Sequence, residues 1–238
     1  MPGKKALNIT HVIFDLDGLL IDTEPSYTET HTSAMKQYGK KFTLDLKSLT
    51  MGMKHEAAIK ILLNKIGLAD KVSVEEYDKL YRPVLLEKLP HCPKMPGALR
   101  LVQHFHNHSI PMAICSGSSN YSFKLKTMNH KDLTDLISVQ VKCGSDPEIE
   151  EGKPSAEAYL VTMQRFRSPP LDPSNVLVFE DAPNGVLAAI RAGMNVVMVP
   201  DLSYAQVPDE GKEQIVGVLE SLEDFRPESV GLPAFDNY

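Results

Sequence analysis

Short apolar runs alternate with longer stretches of helical spacing along this chain. Residues 9–14 (ITHVIF) come first, followed by 110–115 (IPMAIC), 136–141 (LISVQV), 176–179 (VLVF) and 196–199 (VVMV). A half-solvated strand alternates polar with apolar positions, whereas these runs are nearly all apolar. They therefore predict a parallel sheet covered by helices on both faces. Helical spacing fills the intervals. Residues 97–107 place Leu99, Leu101, Val102 and Phe105 on one stripe. Residues 154–166 open at Pro154, a residue tolerated in a first helical turn. Residues 183–192 also open on a proline and stop at Gly193, a suitable C-cap.

One interval breaks the alternation. No strand is predicted between the first and second runs. Residues 23–39, 54–67 and 74–89 read as helices instead, and Ala58, Ile59, Leu62, Leu63 and Ile66 form one apolar stripe. The simplest organisation is a helical module at 20–93 inserted into an α/β core made of 1–19 and 94–238. The segment from Val207 onward is charged and weakly periodic, and is expected to finish the sheet edge and tail.

Composition narrows the function without selecting it. The 238 residues are 42% hydrophobic, enough for a substantial core. A net charge of −6 leaves no broad basic field for nucleic acid or an anionic membrane. Cys92, Cys115 and Cys143 have neither zinc spacing nor CxxC pairing, which suits a reducing compartment, and Cys115 reads as a small core residue. The first eight residues lack an apolar signal region, and no run approaches membrane-span length. A soluble, cytoplasmic, monomeric protein acting on a small molecule is the expectation.

The candidate chemistry lies just beyond the predicted strands, where open parallel sheets bind ligands. The first strand runs into Asp15-Leu16-Asp17-Gly18, two carboxylates two residues apart at a buried strand end. Either a divalent cation offsets their charge, or they hold different protonation states and do acid–base work. After the second strand come Ser116, Gly117 and Ser118, whose hydroxyl and amides can cradle phosphate oxygens. Lys153 follows the third and offers a point charge, and Glu180-Asp181 follow the fourth. Singly, each is an ordinary loop. Converging on one rim, they suit Mg²⁺ together with a phosphoryl group.

This set, Asp15-x-Asp17-Gly18, Ser116, Lys153 and Glu180-Asp181-xxx-Gly185, resembles the four motifs of the haloacid dehalogenase-like hydrolases over residues 9–200. The resemblance implies a Rossmann-like three-layer core with a small helical cap. It implies Asp15 as a nucleophile that becomes an aspartyl-phosphate and Asp17 as general acid/base. Ser116, Gly117 and Lys153 would hold the phosphoryl group. Asp15, the Asp17 carbonyl and Asp181 would bind Mg²⁺, with Glu180 in or beside that shell. Dehalogenases in the family lack an aspartate at position 17, and the ion-pumping ATPases carry threonine there, so Asp17 points to a phosphatase or phosphomutase.

Segments 14–24, 51–58, 178–186 and 192–201 further resemble the animal phosphatases of pseudouridine 5′-phosphate, which implies that substrate. Relatives with the same motifs act on sugar phosphates or glycerol phosphate. A phosphomutase, or a non-catalytic binding protein on the same fold, is the remaining alternative. Specificity is expected from the cap through Glu24, Gly52, Lys54 and His55, with Asn120 on the core side. Cap hinges are expected near 18–24 and 90–97.

Overall fold

The computed structural model describes residues 7–236. Most of the leading segment read as lacking a secretory signal lies outside them. Six strands form one parallel sheet: β1 (His11–Phe14), β2 (Met112–Ser116), β3 (Val139–Lys142), β4 (Val176–Glu180), β5 (Asn195–Met198) and β6 (Ile215–Val218). Their spatial order is β3-β2-β1-β4-β5-β6. The chain winds outward in one direction through β2 and β3 and in the other through β4 to β6. The β1/β4 boundary is thus the topological switch point, where such sheets open a ligand crevice.

The apolar runs are explained by burial on both faces. Val12, Phe14, Ile114, Leu177 and Phe179 belong to one core cluster, whereas Ile13, Ala113, Cys115, Val176 and Val178 belong to another. Neighbouring side chains leave a strand on opposite faces, so one apolar run feeds two cores. Only the edge strands β3 and β6 are partly exposed. β6 supplies the expected edge from the weakly periodic tail.

Nine helices complete the described residues: α1 (Glu24–Lys36), α2 (Leu44–Thr50), α3 (His55–Lys65), α4 (Val74–Lys88), α5 (Ala98–Asn107), α6 (Asn120–Thr127), α7 (Lys131–Thr134), α8 (Glu157–Gln164) and α9 (Pro183–Arg191). α5 packs Leu101, Val102 and Phe105 on the first face, while α8 and α9 pack Tyr159, Val186 and Ala189 on the second. α1 to α4 form the helical module. A Ser73–Glu76 capping box starts α4, and the helix continues through Pro83. The two crossing chains pair antiparallel at Ile21 and Lys94, with Asp22 N–H donating to Pro93 O at 2.8 Å.

Some expectations shift. Pro154 lies in the turn before α8, which starts at Glu157, so that proline is not the helix opening. The third strand begins at Val139, because Ile137 closes the turn after α7. Hydrophobic periodicity does not reveal α2, α6 or α7. Each has eight residues or fewer, too few turns for periodicity to stand out.

Candidate active site

Asp15 emerges at the switch point. Its N–H donates to Phe179 O at 3.0 Å, which ties the end of β1 to β4. The carboxylate is 3% exposed and meets Lys153 Nζ at 2.5 Å. Lys153, reaching in from the turn before α8, also donates to Cys115 O at 2.9 Å and to Glu180 Oε1 at 2.7 Å. Burial pushes the Asp15 carboxyl up to about 8, against the pull of the Lys153 ammonium.

Glu180 is held by four donors. Oε1 accepts from Lys153 and, at 2.7 Å, from Tyr159 OH; Oε2 accepts from the Asp181 and Ala182 N–H groups, each at 3.1 Å. With both oxygens engaged, Glu180 orients Lys153 and stands behind the open face of the site. Gly185 explains the spacing of its motif. A Cβ there would lie 1.7 Å from Glu180 Oε1, so only glycine lets α9 cross this carboxylate.

Asp17 sits in a different environment. Oδ1 accepts from Thr23 Oγ1 at 2.8 Å and lies 2.5 Å from Lys126 Nζ. Oδ2 accepts from Ser116 Oγ and Ser118 Oγ, each at 3.1 Å. Burial pushes the carboxyl up, but Lys126 with Thr23 and Ser116 outweighs it and holds the group below its ordinary range. The two aspartates, two residues apart, thus stand in distinct environments, one against Lys153 and the other against Lys126. Ser116 spends its hydroxyl on Asp17 in this arrangement, not on the cavity. Lys126 was not singled out from sequence. The available signal was Ser119 as an N-cap with Phe123, Lys126 and Thr127 at helical spacing.

The charges frame a cation site. Asp15, Glu180 and Asp181 offer carboxylate oxygens within 4.8 Å of one another, and among the described residues Lys153 pairs with Asp15 and Glu180 while no salt bridge reaches Asp181. Burial, with Glu180 and Asp15 nearby, pushes Asp181 well up. Gly18 adds a close wall: at φ 79° its missing Cβ would stand 2.3 Å from Asp181 Oδ2. Excess buried negative charge and hard oxygen donors fit Mg²⁺, with Asp15 and Asp181 free to hold it.

Above the acids lies a cavity of about 510 Å³ between core and cap. Asp15, Asp17 and Gly117 form its floor, and Tyr27, His31, Phe42, Tyr81 and Tyr121 its walls. Of the expected specificity residues, Glu24, Gly52, Lys54 and His55 line it, whereas Asn120 is exposed and outside the lining, with Ser119, Tyr121 and Ser122 in its place. Glu24 pairs with Lys47 at 3.1 Å, and burial still pushes its carboxyl up. His55 Nε2 meets Asp78 Oδ1 at 2.6 Å. Lys54 crosses to the core, where Nζ donates to Ile149 O at 2.6 Å and Glu150 O at 2.9 Å. Tyr38 stacks on Tyr77 and takes no part in the lining.

Comparison with known proteins agrees with this geometry. Residues 12–199 match the haloacid dehalogenase-like hydrolase family. An Arabidopsis thaliana protein named (DL)-glycerol-3-phosphatase 1, mitochondrial, is 44% identical over 97% of this chain and 76% of its own length. A Drosophila melanogaster protein named probable pseudouridine-5′-phosphatase is 40% identical over 99% of both chains. The solved structure of β-phosphoglucomutase from Clostridium difficile gives a TM-score of 0.75 at 19% identity, covering 93% of this chain and 95% of that one, a likeness of fold. The motif residues gathered at one switch point and the family match over most of the sequence lead to one conclusion: the chain belongs to the haloacid dehalogenase-like hydrolases.

Proposed function

We propose that the chain is a Mg²⁺-dependent phosphomonoesterase working through an aspartyl-phosphate, with pseudouridine 5′-phosphate as substrate. The observation that carries the reading is the Asp15 carboxylate on the cavity floor, 2.5 Å from the buried Lys153 ammonium and flanked by a second carboxylate, Asp17, in a distinct environment. An Asp15 oxygen attacks phosphorus while the ester P–O bond breaks, and Asp17 gives its proton to the departing alkoxide. Water then attacks the acyl phosphate, Asp17 takes the water's proton, and Asp15 is regenerated as inorganic phosphate leaves. Lys153 balances charge on the transferring group. Asp15, the Asp17 carbonyl and Asp181 would hold Mg²⁺, which would supply Lewis-acid charge neutralisation when bound.

The cavity supports a nucleoside as the leaving alcohol. Its volume of about 510 Å³ exceeds what a three-carbon alcohol fills, and aromatic walls suit a planar base. His55, which lines the cavity and pairs with Asp78, would read base or ribose polar groups. Glycerol phosphate is the second reading, favoured by the 44% identical relative. Phosphate release from pseudouridine 5′-phosphate, uridine 5′-phosphate and glycerol 3-phosphate, measured side by side with Mg²⁺, separates them. Pseudouridine 5′-phosphate is expected to give the highest kcat/KM; preference for glycerol 3-phosphate would reverse the assignment. Asp15→Asn should abolish release from every substrate while the fold persists. Residual turnover near the wild-type rate would remove the nucleophile.

A further inference from the structure

Lys126 is the least expected charge in the molecule. It comes from α6, follows no strand, and is fully buried, where lysine is almost never found unless paired. All its polar contacts lead to the acid/base. Nζ lies 2.5 Å from Asp17 Oδ1 and donates to Ser118 Oγ at 2.5 Å; Ser118 in turn donates to Asp17 Oδ2. The ammonium also stands 5.1 Å over the ring of Tyr27, a cap residue in the cavity wall.

The two Asp17 oxygens are unequal. Oδ1 is held by an ammonium at 2.5 Å and a hydroxyl at 2.8 Å, whereas Oδ2 is held by two neutral hydroxyls at 3.1 Å. Charge-assisted bonds are shorter and about twice as strong as neutral ones. With every strong acceptor position taken, Asp17 can reach a leaving oxygen only by giving up a donor. The weaker pair lies on Oδ2.

We propose that Lys126 is a positioning residue: it pins Asp17 Oδ1, so that Oδ2 is the oxygen that exchanges a serine hydroxyl for the substrate and carries the proton to the leaving alkoxide. The proposal rests on the acid/base reading of Asp17. As the P–O ester bond breaks and the Asp15–phosphorus bond forms, the Oδ2 proton passes to the alkoxide, and Asp17 is left as the carboxylate that Lys126 faces.

The test exploits leaving groups. An alkyl phosphate needs a proton on departure; p-nitrophenyl phosphate does not. Lys126→Met should lower kcat for the nucleoside monophosphate by at least about 100-fold, within the range of general acid catalysis. The p-nitrophenolate burst in a single turnover with Mg²⁺ should fall less than about threefold, since that step uses no acid. In an Asp17→Asn background, Lys126→Met should add little further loss. A merely structural lysine would slow both substrates alike and add its full loss to Asp17→Asn, and either result overturns the proposal. Thr23→Val, which removes the other Oδ1 donor without removing a charge, should give the same leaving-group signature in weaker form. It keeps the question decidable if Lys126→Met does not fold, and equal slowing of both substrates by Thr23→Val would also overturn the proposal. Near-normal turnover of the alkyl phosphate by Asp17→Asn alone would instead remove the acid/base reading itself.

Discussion

Replacing Gly185 with alanine sets helix propensity against packing, and the two predict opposite signs. Gly185 lies inside α9, where alanine normally gains about 1 kcal/mol by lowering backbone entropy in the unfolded chain. Here the new methyl would sit 1.7 Å from Glu180 Oε1, 2.0 Å from its Cδ and 2.5 Å from Oε2. Glu180 is fully buried and cannot turn aside without breaking bonds to Lys153, Tyr159 and the Asp181 and Ala182 amides. Losing two hydrogen bonds to a charged group, at about 1.5–3 kcal/mol each, outweighs the propensity gain and leaves a net loss of roughly 2–5 kcal/mol. Urea denaturation of wild type and Gly185→Ala measures it directly. Phosphate release under conditions where both are folded should fall as well, because Glu180 fixes the Lys153 ammonium beside Asp15. A variant as stable as wild type and equally active would refute the claim that this glycine exists to seat Glu180.

Mg²⁺ should raise the melting temperature of the wild type, by about 2.7 kcal/mol of added stability at one hundred times its dissociation constant. Asp181→Asn should erase that increment while being at least as stable as wild type without the ion, since it removes an excess buried charge; an intact increment would remove Asp181 from the ion's ligands. Lys54→Met deletes the bonds to Ile149 O and Glu150 O and should weaken cap docking by about 1–3 kcal/mol, read as faster hydrogen exchange across residues 49–55. Unchanged exchange there would mean that the bridge carries no docking energy. Burial among Phe42, Tyr77 and Tyr81 pushes the His31 imidazole down to about 3, so below pH 6.5 the unfolded chain takes up a proton that the folded chain refuses. Stability should therefore fall as pH drops, with about 2–3 kcal/mol lost through this group by pH 4.5. His31→Gln should flatten that acid limb, and an unaltered slope would assign it to other groups.

The order of elements and the identity of most chemical groups were legible in the chain itself. Apolar runs at 110–115, 176–179 and 196–199 read as doubly covered strands because both sheet faces are dry, and β2, β4 and β5 lie on them. Asp15, Asp17, Lys153 and Asp181 are legible as candidates because a strand end followed by polar residues is a local pattern, and such ends converge in a parallel sheet. Short elements escaped, since α2 and α6 offer too few turns for a period to emerge. Lys126 escaped with α6. In sequence it is one of the 25 lysines and arginines, and only burial against Asp17 distinguishes it from a solvated surface charge. The same limit applies to Glu180 and Lys54. Sequence supplied the carboxylate and the ammonium, but four convergent donors around Glu180 and two core carbonyls facing Lys54 are relations between distant segments. Local sequence determined which groups this protein has and where strands deliver them. Their partners, and hence whether each carboxylate binds a cation, moves a proton or holds a neighbour, were decided only by tertiary packing, because electrostatic environment depends on distances between segments far apart in the chain.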